Sequence, residues 1–172
     1  LYYYLTAPLA LYICAIFVIT LTRPMSAPGK KENSPKDKLF LVVGIGASAG
    51  GLDAFRQLIK TVPVDSGMAY ILVQHLDPDH ESILTELLQK VTSIPVSEVT
   101  DNIEVRPNHI YVIPPNKLLT ANDGILKLTD RQVSSYHNLP IDLFFKSLAE
   151  VYQSESIGVV LSRTGNDGTL GL

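Results

Sequence analysis

Continuous apolar runs alternate along this chain with segments whose apolar residues recur at helical spacing. Three apolar runs rich in β-branched residues have the length of strands that are buried on both faces of a parallel sheet: residues 39–45, 68–74 and 157–161. Amphipathic helices are predicted at residues 51–62, 81–91 and 141–152, and Pro140 suits the first turn of the last helix.

Shorter runs complete the predicted architecture. Strands are predicted at residues 96–99 and 110–113, and the turn Asn122-Asp123-Gly124 predicts a hairpin that joins residues 118–121 with 125–128. The inward face of the last helix is expected to carry Leu143, Phe144, Leu148 and Val151. The alternation of strands and helices predicts an α/β fold, a doubly wound and mostly parallel sheet with helices on both faces and a β-hairpin insertion.

Residues 1–22 differ from the rest of the chain, because 18 of them are apolar and none is charged. This length suffices to cross a bilayer as a helix. The chain begins with Leu, however, and Met25 opens a polar segment, so we favour an over-extended start over a membrane anchor or a signal segment. The chain is therefore divided into an apolar segment (1–24), a flexible linker (25–38) and a folded domain (39–172).

Charge and cysteine content exclude several classes of protein. From Leu39 onward, nine Lys and Arg stand against 15 Asp and Glu, a net charge of −6 without any basic run, which argues against nucleic acid as a partner. The single cysteine, Cys14, allows neither an intrachain disulfide nor a Cys-rich metal site. A reducing compartment fits best, and with an over-extended start or an anchor the domain is expected in the cytoplasm.

The loop after the first predicted strand fits two patterns that carry chemistry. Residues 44–49 fit the dinucleotide fingerprint G-x-G-x-x-A, but the acid that should bind the ribose after the second strand is missing, since residues 74–75 are Gln-His. Residues 46–50 fit the nucleophile elbow G-x-S-x-G, in which a sharp strand-to-helix turn exposes the hydroxyl of Ser48. A serine nucleophile then needs a base.

Two further loops supply the groups that such a serine needs. His75 follows the second strand and Asp167 follows the last one, so both are expected at the same sheet edge as Ser48. In a catalytic triad Ser48 would attack an ester, His75 would take and return the proton, and Asp167 would hold the imidazole. The simpler alternatives are that Ser48 caps a helix or binds phosphate, and that Asp167 forms a turn or caps a helix near Gly168.

Five blocks follow one another between residues 39 and 172: GIGASAGGLDAF, ILVQHLDPDHES, HIYVIPPNKLL, NLPIDLFFKSLAE and GVVLSRTGNDGTLGL. Together they resemble the catalytic domain of CheB-type protein-glutamate methylesterases. The resemblance implies a triad of Ser48, His75 and Asp167 that works without metal or organic cofactor. It also implies the reaction, which is hydrolysis of glutamate γ-methyl esters on the cytoplasmic helices of methylated chemoreceptors, together with deamidation of certain glutamines.

The resemblance implies further roles near the triad. Backbone N–H groups of Ala49, Gly50 and Thr164 would support the oxyanion, although many relatives carry Ser or Thr at the first of these positions and Met at the last. Arg163 stands where a glycine is usual, and its bulk would narrow or recharge the crevice. Because an acidic domain must approach an acidic partner, we expect Arg56 or Arg163 to supply local positive charge.

The chain stops at Leu172, whereas the relatives continue, so residues 39–172 are interpreted as a catalytic domain truncated at its C-terminus. This arrangement fits the N-terminal part of a CheB/CheR methylesterase-methyltransferase fusion. The second hypothesis is a non-catalytic regulatory or binding module of a chemosensory fusion protein. A nucleotide-dependent oxidoreductase comes last, because the ribose-binding acid is missing.

Overall fold

The computed structural model of the chain describes residues 20–21, 40–48, 51–74, 83–131, 139–162, 167–168 and 170–172, without the side chains of Thr20, Leu21 and Ser162. Apart from Thr20 and Leu21, the apolar segment (1–24) and the linker (25–38) lie outside these residues. The domain boundaries given above therefore stay predictions. Within the described part of the chain, no helix is both long and apolar enough to cross a membrane.

The described strands and helices follow the predicted order closely. The strands are β1 (Thr20–Leu21), β2 (Val42–Ala47), β3 (Ala69–Gln74), β4 (Val96–Glu98), β5 (Ile103–Glu104), β6 (His109–Val112), β7 (Lys117–Asn122), β8 (Ile125–Asp130) and β9 (Ser156–Ser162). The helices are α1 (Leu52–Thr61), α2 (Leu84–Gln89) and α3 (Pro140–Tyr152), and a 3₁₀ turn (Gln153–Glu155) follows α3.

Six strands form one sheet in the order β1-β9-β2-β3-β6-β4, in which every pair is parallel except β1 with β9. This arrangement confirms the predicted parallel α/β fold. The predicted hairpin forms β7 and β8, and β5 adds a third antiparallel strand. Its turn needs Asp123 and Gly124 at positive φ (49° and 80°), which is why an Asp-Gly pair stands there.

The large sheet is covered on both faces, as predicted. On one face Ile45 and Leu72 pack among Phe55 of α1 and Leu88 of α2, and all four side chains are fully buried. Alternate strand residues point to the opposite face, where α3 and the three-stranded sheet cover them. Apolar residues on both sides of each central strand explain why the strands read as continuous runs.

Helix α3 lies unusually close to β2, because glycines leave room for it. A Cβ on Gly44 would lie 2.8 Å from Leu148 Cδ2 and 2.9 Å from Phe144 Cε1. The buried face of the helix carries Ile141, Phe144, Phe145 and Leu148, at the i, i+3, i+4, i+7 spacing. The prediction that Leu143 faces inward was wrong: Leu143 lies one position outside this stripe and is 39% exposed.

Candidate active site

Three adjacent parallel strands bring the candidate loops to one edge of the sheet. Ala47, the last residue of β2, pairs with Gln74 at the end of β3 and with Ser162 at the end of β9. Ser48 and His75 are therefore each the next residue after paired strand ends. This edge is where ligands bind in open α/β sheets.

The turn that carries Ser48 is held by contacts to the Ser48 carbonyl oxygen. That oxygen accepts hydrogen bonds from the Gly51 backbone N–H (2.8 Å) and from the Gln74 side-chain Nε2 (3.2 Å). A Cβ on Gly51 would press on Ala47 Cβ and lie 3.0 Å from the same oxygen. The turn is thus tight enough to require glycine before α1 begins at Leu52.

Asp167 is fixed by the first turn of α3. Its Oδ2 accepts a hydrogen bond from the Ile141 N–H (3.2 Å), and its Oδ1 accepts one from the Asp142 N–H (3.0 Å). Leu139, at the N-cap position, has no polar side chain that could bind these amides. Asp167 therefore supplies the helix cap from a distant part of the sequence, and each carboxylate oxygen keeps acceptor capacity for another donor.

Burial raises the pKa of Asp167 above its ordinary value, and the nearby Asp142 carboxylate adds to this effect. The backbone N–H groups of Asp142, Ile141 and Gly168 act in the opposite direction, because they stabilise the ionised form. The raised pKa shows that desolvation outweighs these hydrogen bonds. A cation that forms beside this carboxylate would be stabilised more strongly than in water.

Ile141 connects the Asp167 loop to the strand that carries Ser48. A Cβ on Gly46 would clash with Ile141 Cγ2, and a Cβ on Gly168 would lie 2.9 Å from the same atom. Gly168 also has a φ of +87°, in the region that favours glycine. One side chain thus packs against the residue two before Ser48 and the residue one after Asp167.

Most of the predicted domain matches a known family. Residues 43–172 match the family described as CheB methylesterase. The chain belongs to the CheB methylesterase family. The resemblance predicted from the five sequence blocks is thereby confirmed, whereas the fusion to a methyltransferase stays a prediction.

Individual members of the family give the same picture. The chain is 32% identical over 158 residues to a protein-glutamate methylesterase/protein-glutamine glutaminase of Salmonella choleraesuis, which covers 90% of this chain and 45% of that protein. It is 31% identical to a putative protein of the same description from Leptospira interrogans, over 77% of this chain and 69% of the relative. The chain spans about half the length of the Salmonella relative.

A solved structure confirms the fold. The crystal structure of the Thermotoga maritima CheB methylesterase catalytic domain superposes with a TM-score of 0.67 at 29% identity. The match covers 77% of this chain and 72% of the Thermotoga chain. The α/β fold predicted from the alternation of elements is therefore the CheB catalytic-domain fold.

Of the site residues predicted from the sequence, the structure places Ser48 and Asp167 at the same sheet edge. The predicted base and the predicted oxyanion supports lie outside the described residues, as does Arg163: they are His75, Ala49, Gly50 and Thr164. Arg56 lies on α1, with its guanidinium 3.7 Å from the Asp53 carboxylate. Asp167 does cap a helix, but that helix is α3, so the alternative of a cap near Gly168 was wrong about the helix.

Two polar residues near the site were missed by the sequence analysis. The sequence analysis uses Gln74 only to show that the ribose-binding acid is missing, yet its buried side chain binds the Ser48 turn. A polar residue that ends a buried strand was the available signal. The sequence analysis assigns no role to Asp142, because an acid in the first turn of a helix is common and nothing in its local sequence shows its distant partners.

Among the described residues, no three His, Cys, Asp or Glu side chains lie close enough together to hold a metal ion. The polar groups that the structure does place at the edge are the Ser48 turn, the Gln74 amide and the Asp167 carboxylate. A serine and a fixed carboxylate at one sheet edge are suited to acyl transfer, provided that a base joins them.

Proposed function

We propose that this chain is a protein-glutamate methylesterase, a carboxylic-ester hydrolase of chemotaxis signalling that acts on γ-methyl esters of chemoreceptor glutamates. The same site would deamidate glutamines, the second activity named for the relatives. The observation that carries the proposal is the pairing of Ala47 with both Gln74 and Ser162, because it directs three candidate loops to one edge. Membership of the CheB family supports it.

The reaction proceeds through an acyl-enzyme. Ser48 Oγ attacks the ester carbonyl carbon while His75 takes the hydroxyl proton, which gives a tetrahedral oxyanion. Collapse of this intermediate breaks the bond to the methoxy oxygen, and the proton on His75 leaves with methanol. Water then attacks the glutamyl ester of Ser48 in the same way and releases the glutamate carboxylate. With a glutamine substrate, ammonia leaves in the first half-reaction instead of methanol.

Asp167 holds the imidazole of His75 in the tautomer that accepts the Ser48 proton and stabilises the imidazolium that forms. The two amides of α3 fix the carboxylate for this role, which avoids reorganisation during the reaction. Burial destabilises the charge of Asp167 and raises its pKa, so a cation that forms beside this carboxylate is strongly stabilised. Backbone N–H groups of Ala49, Gly50 and Thr164 bind the oxyanion, each contributing about 10²–10³ in rate.

The substrate in this proposal is a helix of a methylated chemoreceptor in the cytoplasm, with no nucleic acid involved. Receptor helices that carry glutamates are acidic, as is this domain, so the approach needs a cation near the crevice. Arg56 is available because its partner Asp53 has an 80% exposed side chain and binds it weakly. Arg163, next in sequence after β9, is the second cation, and a methyltransferase domain in the full-length chain is the further partner.

Methanol release from methylated receptor membranes tests the proposal. The chain should release methanol, and Ser48→Ala should lower the rate by at least about 1,000-fold while leaving the fold intact. Ser154→Ala is the matched control, because that exposed hydroxyl contacts only its neighbour Glu155 among the described residues. A folded chain that releases no methanol, or equal rates from the parent and Ser48→Ala, would refute the proposal.

One observation favours the alternative of a non-catalytic regulatory or binding module. Asp167 already has a structural task as the cap of α3, which explains an aspartate there without any catalysis. In that case the Ser48 turn would bind a partner or a phosphate at the start of α1. Binding of receptor membranes that survives in Ser48→Ala, without methanol release by the parent, would identify this alternative.

A further inference from the structure

Asp142 is the one aspartate or glutamate among the described residues that is almost fully buried, with 3% of its surface exposed. Its Oδ1 accepts hydrogen bonds from two backbone N–H groups beyond Asp167, those of Leu170 (2.9 Å) and Gly171 (2.7 Å). Its Oδ2 is buried without a hydrogen-bond partner in the described part of the chain. A buried carboxylate oxygen without a partner is costly, since burial removes its hydrogen bonds to water.

The contacts of Asp142 and Asp167 run in opposite directions between the same two segments. The first turn of α3 donates two N–H groups to the Asp167 carboxylate. The segment after Asp167 donates two N–H groups back to the Asp142 carboxylate on that turn. Four hydrogen bonds therefore join α3 to a short loop, two on each side of Gly168.

This reciprocal arrangement restricts Asp167 more than its own two bonds would. If the two bonds from α3 to Asp167 were the only ones, the loop could change its orientation while Asp167 still capped the helix. Anchoring of Leu170 and Gly171 fixes the loop on its far side as well. Gly171 is packed closely here, because a Cβ on it would lie 2.9 Å from the Asp142 backbone.

We propose that Asp142 is a positioning residue of the esterase, whose buried carboxylate holds the Asp167 loop against α3 so that Asp167 keeps the orientation that the base requires. The inference rests on the proposed function, since it gives the loop a catalytic task. Asp142 touches neither substrate nor reacting atoms and acts through Asp167. The need to fix this loop explains why a carboxylate is buried here although one of its oxygens has no partner in the described part of the chain.

The kinetic test compares Asp142→Ala with Asp142→Asn in the methanol assay. The asparagine oxygen still accepts both backbone amides, so its kcat should stay within about threefold of the parent. The alanine variant should lose about 10–100-fold in kcat with little change in KM, because a misplaced group affects the chemical step rather than binding.

The pH profile separates positioning from a merely structural role. A nearby carboxylate favours the protonated imidazole, so a displaced Asp167 should move the acid limb of kcat/KM to lower pH in Asp142→Ala. A variant that is only less stable would lower the rate equally at every pH. Ser156→Ala serves as a matched control, because its buried hydroxyl binds the Gln153 carbonyl oxygen (2.7 Å) at the opposite end of β9.

Amide exchange tests the anchoring independently of catalysis. In Asp142→Ala the Leu170 and Gly171 amides should exchange at least about tenfold faster than in the parent, while Asp142→Asn and Ser156→Ala should leave them protected. Unchanged exchange in Asp142→Ala, or a parent-like acid limb with reduced kcat, would overturn the inference. If the parent releases no methanol, the proposed function fails, and exchange alone decides whether Asp142 holds the loop.

Discussion

The turn that carries Ser48 and the loop that carries Asp167 are fixed in different ways. The Ser48 turn is held from within the central sheet, by the backbone of Gly51 and by the side chain of Gln74 on the adjoining strand. The Asp167 loop is held by a helix, α3, whose first turn both donates to it and accepts from it. Ile141 packs against both β2 and the glycine after Asp167.

The difference separates two kinds of perturbation. Changes in the first turn of α3 should displace the carboxylate while leaving the nucleophile in place. Changes at the end of β3 should displace the nucleophile while leaving the carboxylate in place. Catalysis needs both, because a triad works as a unit and its members are strongly non-additive.

The largest effect is expected from breaking the Asp167 side alone. Asp167→Asn should lower methanol release by about 10⁴-fold, since the amide cannot hold the imidazole tautomer or stabilise its charge. Circular dichroism should show a folded chain, because the asparagine oxygen still caps one amide of α3. Loss below tenfold would mean that Asp167 is a structural cap.

Disturbing the Ile141 contact, which joins the strand before Ser48 to the Asp167 loop, should have the next largest effect. Gly46→Ala places a methyl group on Ile141 and should cost about 1–3 kcal/mol in the free energy of unfolding, measured in urea. Adding Ile141→Ala should make the double variant at least about 0.5 kcal/mol more stable than the two single losses predict.

Gly44→Ala is the control for that experiment. It crowds Leu148 and Phe144 on the same strand face but not the first turn of α3. It should also destabilise the chain. Gly46→Ala should lower kcat more than Gly44→Ala does, because only the methyl group at Gly46 presses on Ile141, which contacts the Asp167 loop. Equal effects on kcat would show that the Ile141 contact does not couple the two sides.

A smaller effect is expected from the Ser48 side. Gln74→Leu removes the donor to the Ser48 carbonyl oxygen and should lower kcat by about tenfold through a loosened turn. Gln89→Leu is the matched control, because that amide also binds backbone groups, those of Thr92, Ile94 and Val96, at the other end of the sheet. A similar loss of kcat in both variants would contradict the role of Gln74.

The smallest expected effect is on stability as a function of pH. The folded-state pKa of Asp167 is raised above its ordinary value of 3.8, mainly by burial, so the folded state binds this proton more tightly than the unfolded state does. The contribution of Asp167 to stability should therefore fall as pH rises from that value through the folded pKa, and then stay level.

Urea unfolding of the parent and Asp167→Asn measures this effect. The difference in stability should shift in favour of the asparagine variant as pH rises from about 3.5 to 7. A shift in favour of the parent over the same range would mean that the helix amides outweigh burial, and that the carboxylate is stabilised by its position.

Sequence patterns predicted the elements of the sheet well because each central strand is buried on both faces and each helix shows one apolar stripe. They failed where two residues form a strand, as in β5 (Ile103–Glu104), since such a segment has no period. They also misplaced Leu143, because the apolar stripe of α3 is wide enough to be drawn one position too far.

For the candidate site, strand ends and glycine-rich turns in the sequence predicted that Ser48 and Asp167 lie at one sheet edge. The sequence could not give the contacts that hold them. Asp167 meets α3 across 25 residues of chain and Gln74 meets Ser48 across 26. Such pairings depend on the sheet order and on how closely α3 approaches β2, neither of which leaves a local pattern.

The central claim, that Ser48 and Asp167 serve one active site, is tested most directly by covalent labelling with a serine-directed fluorophosphonate. Mass spectrometry should locate the adduct on Ser48 of the parent, and Asp167→Ala should slow labelling by at least about 100-fold. Asp101→Ala, which removes a carboxylate that binds the Leu128 amide in the small sheet, should label like the parent. No adduct on Ser48, or equal labelling rates with and without Asp167, would contradict the account.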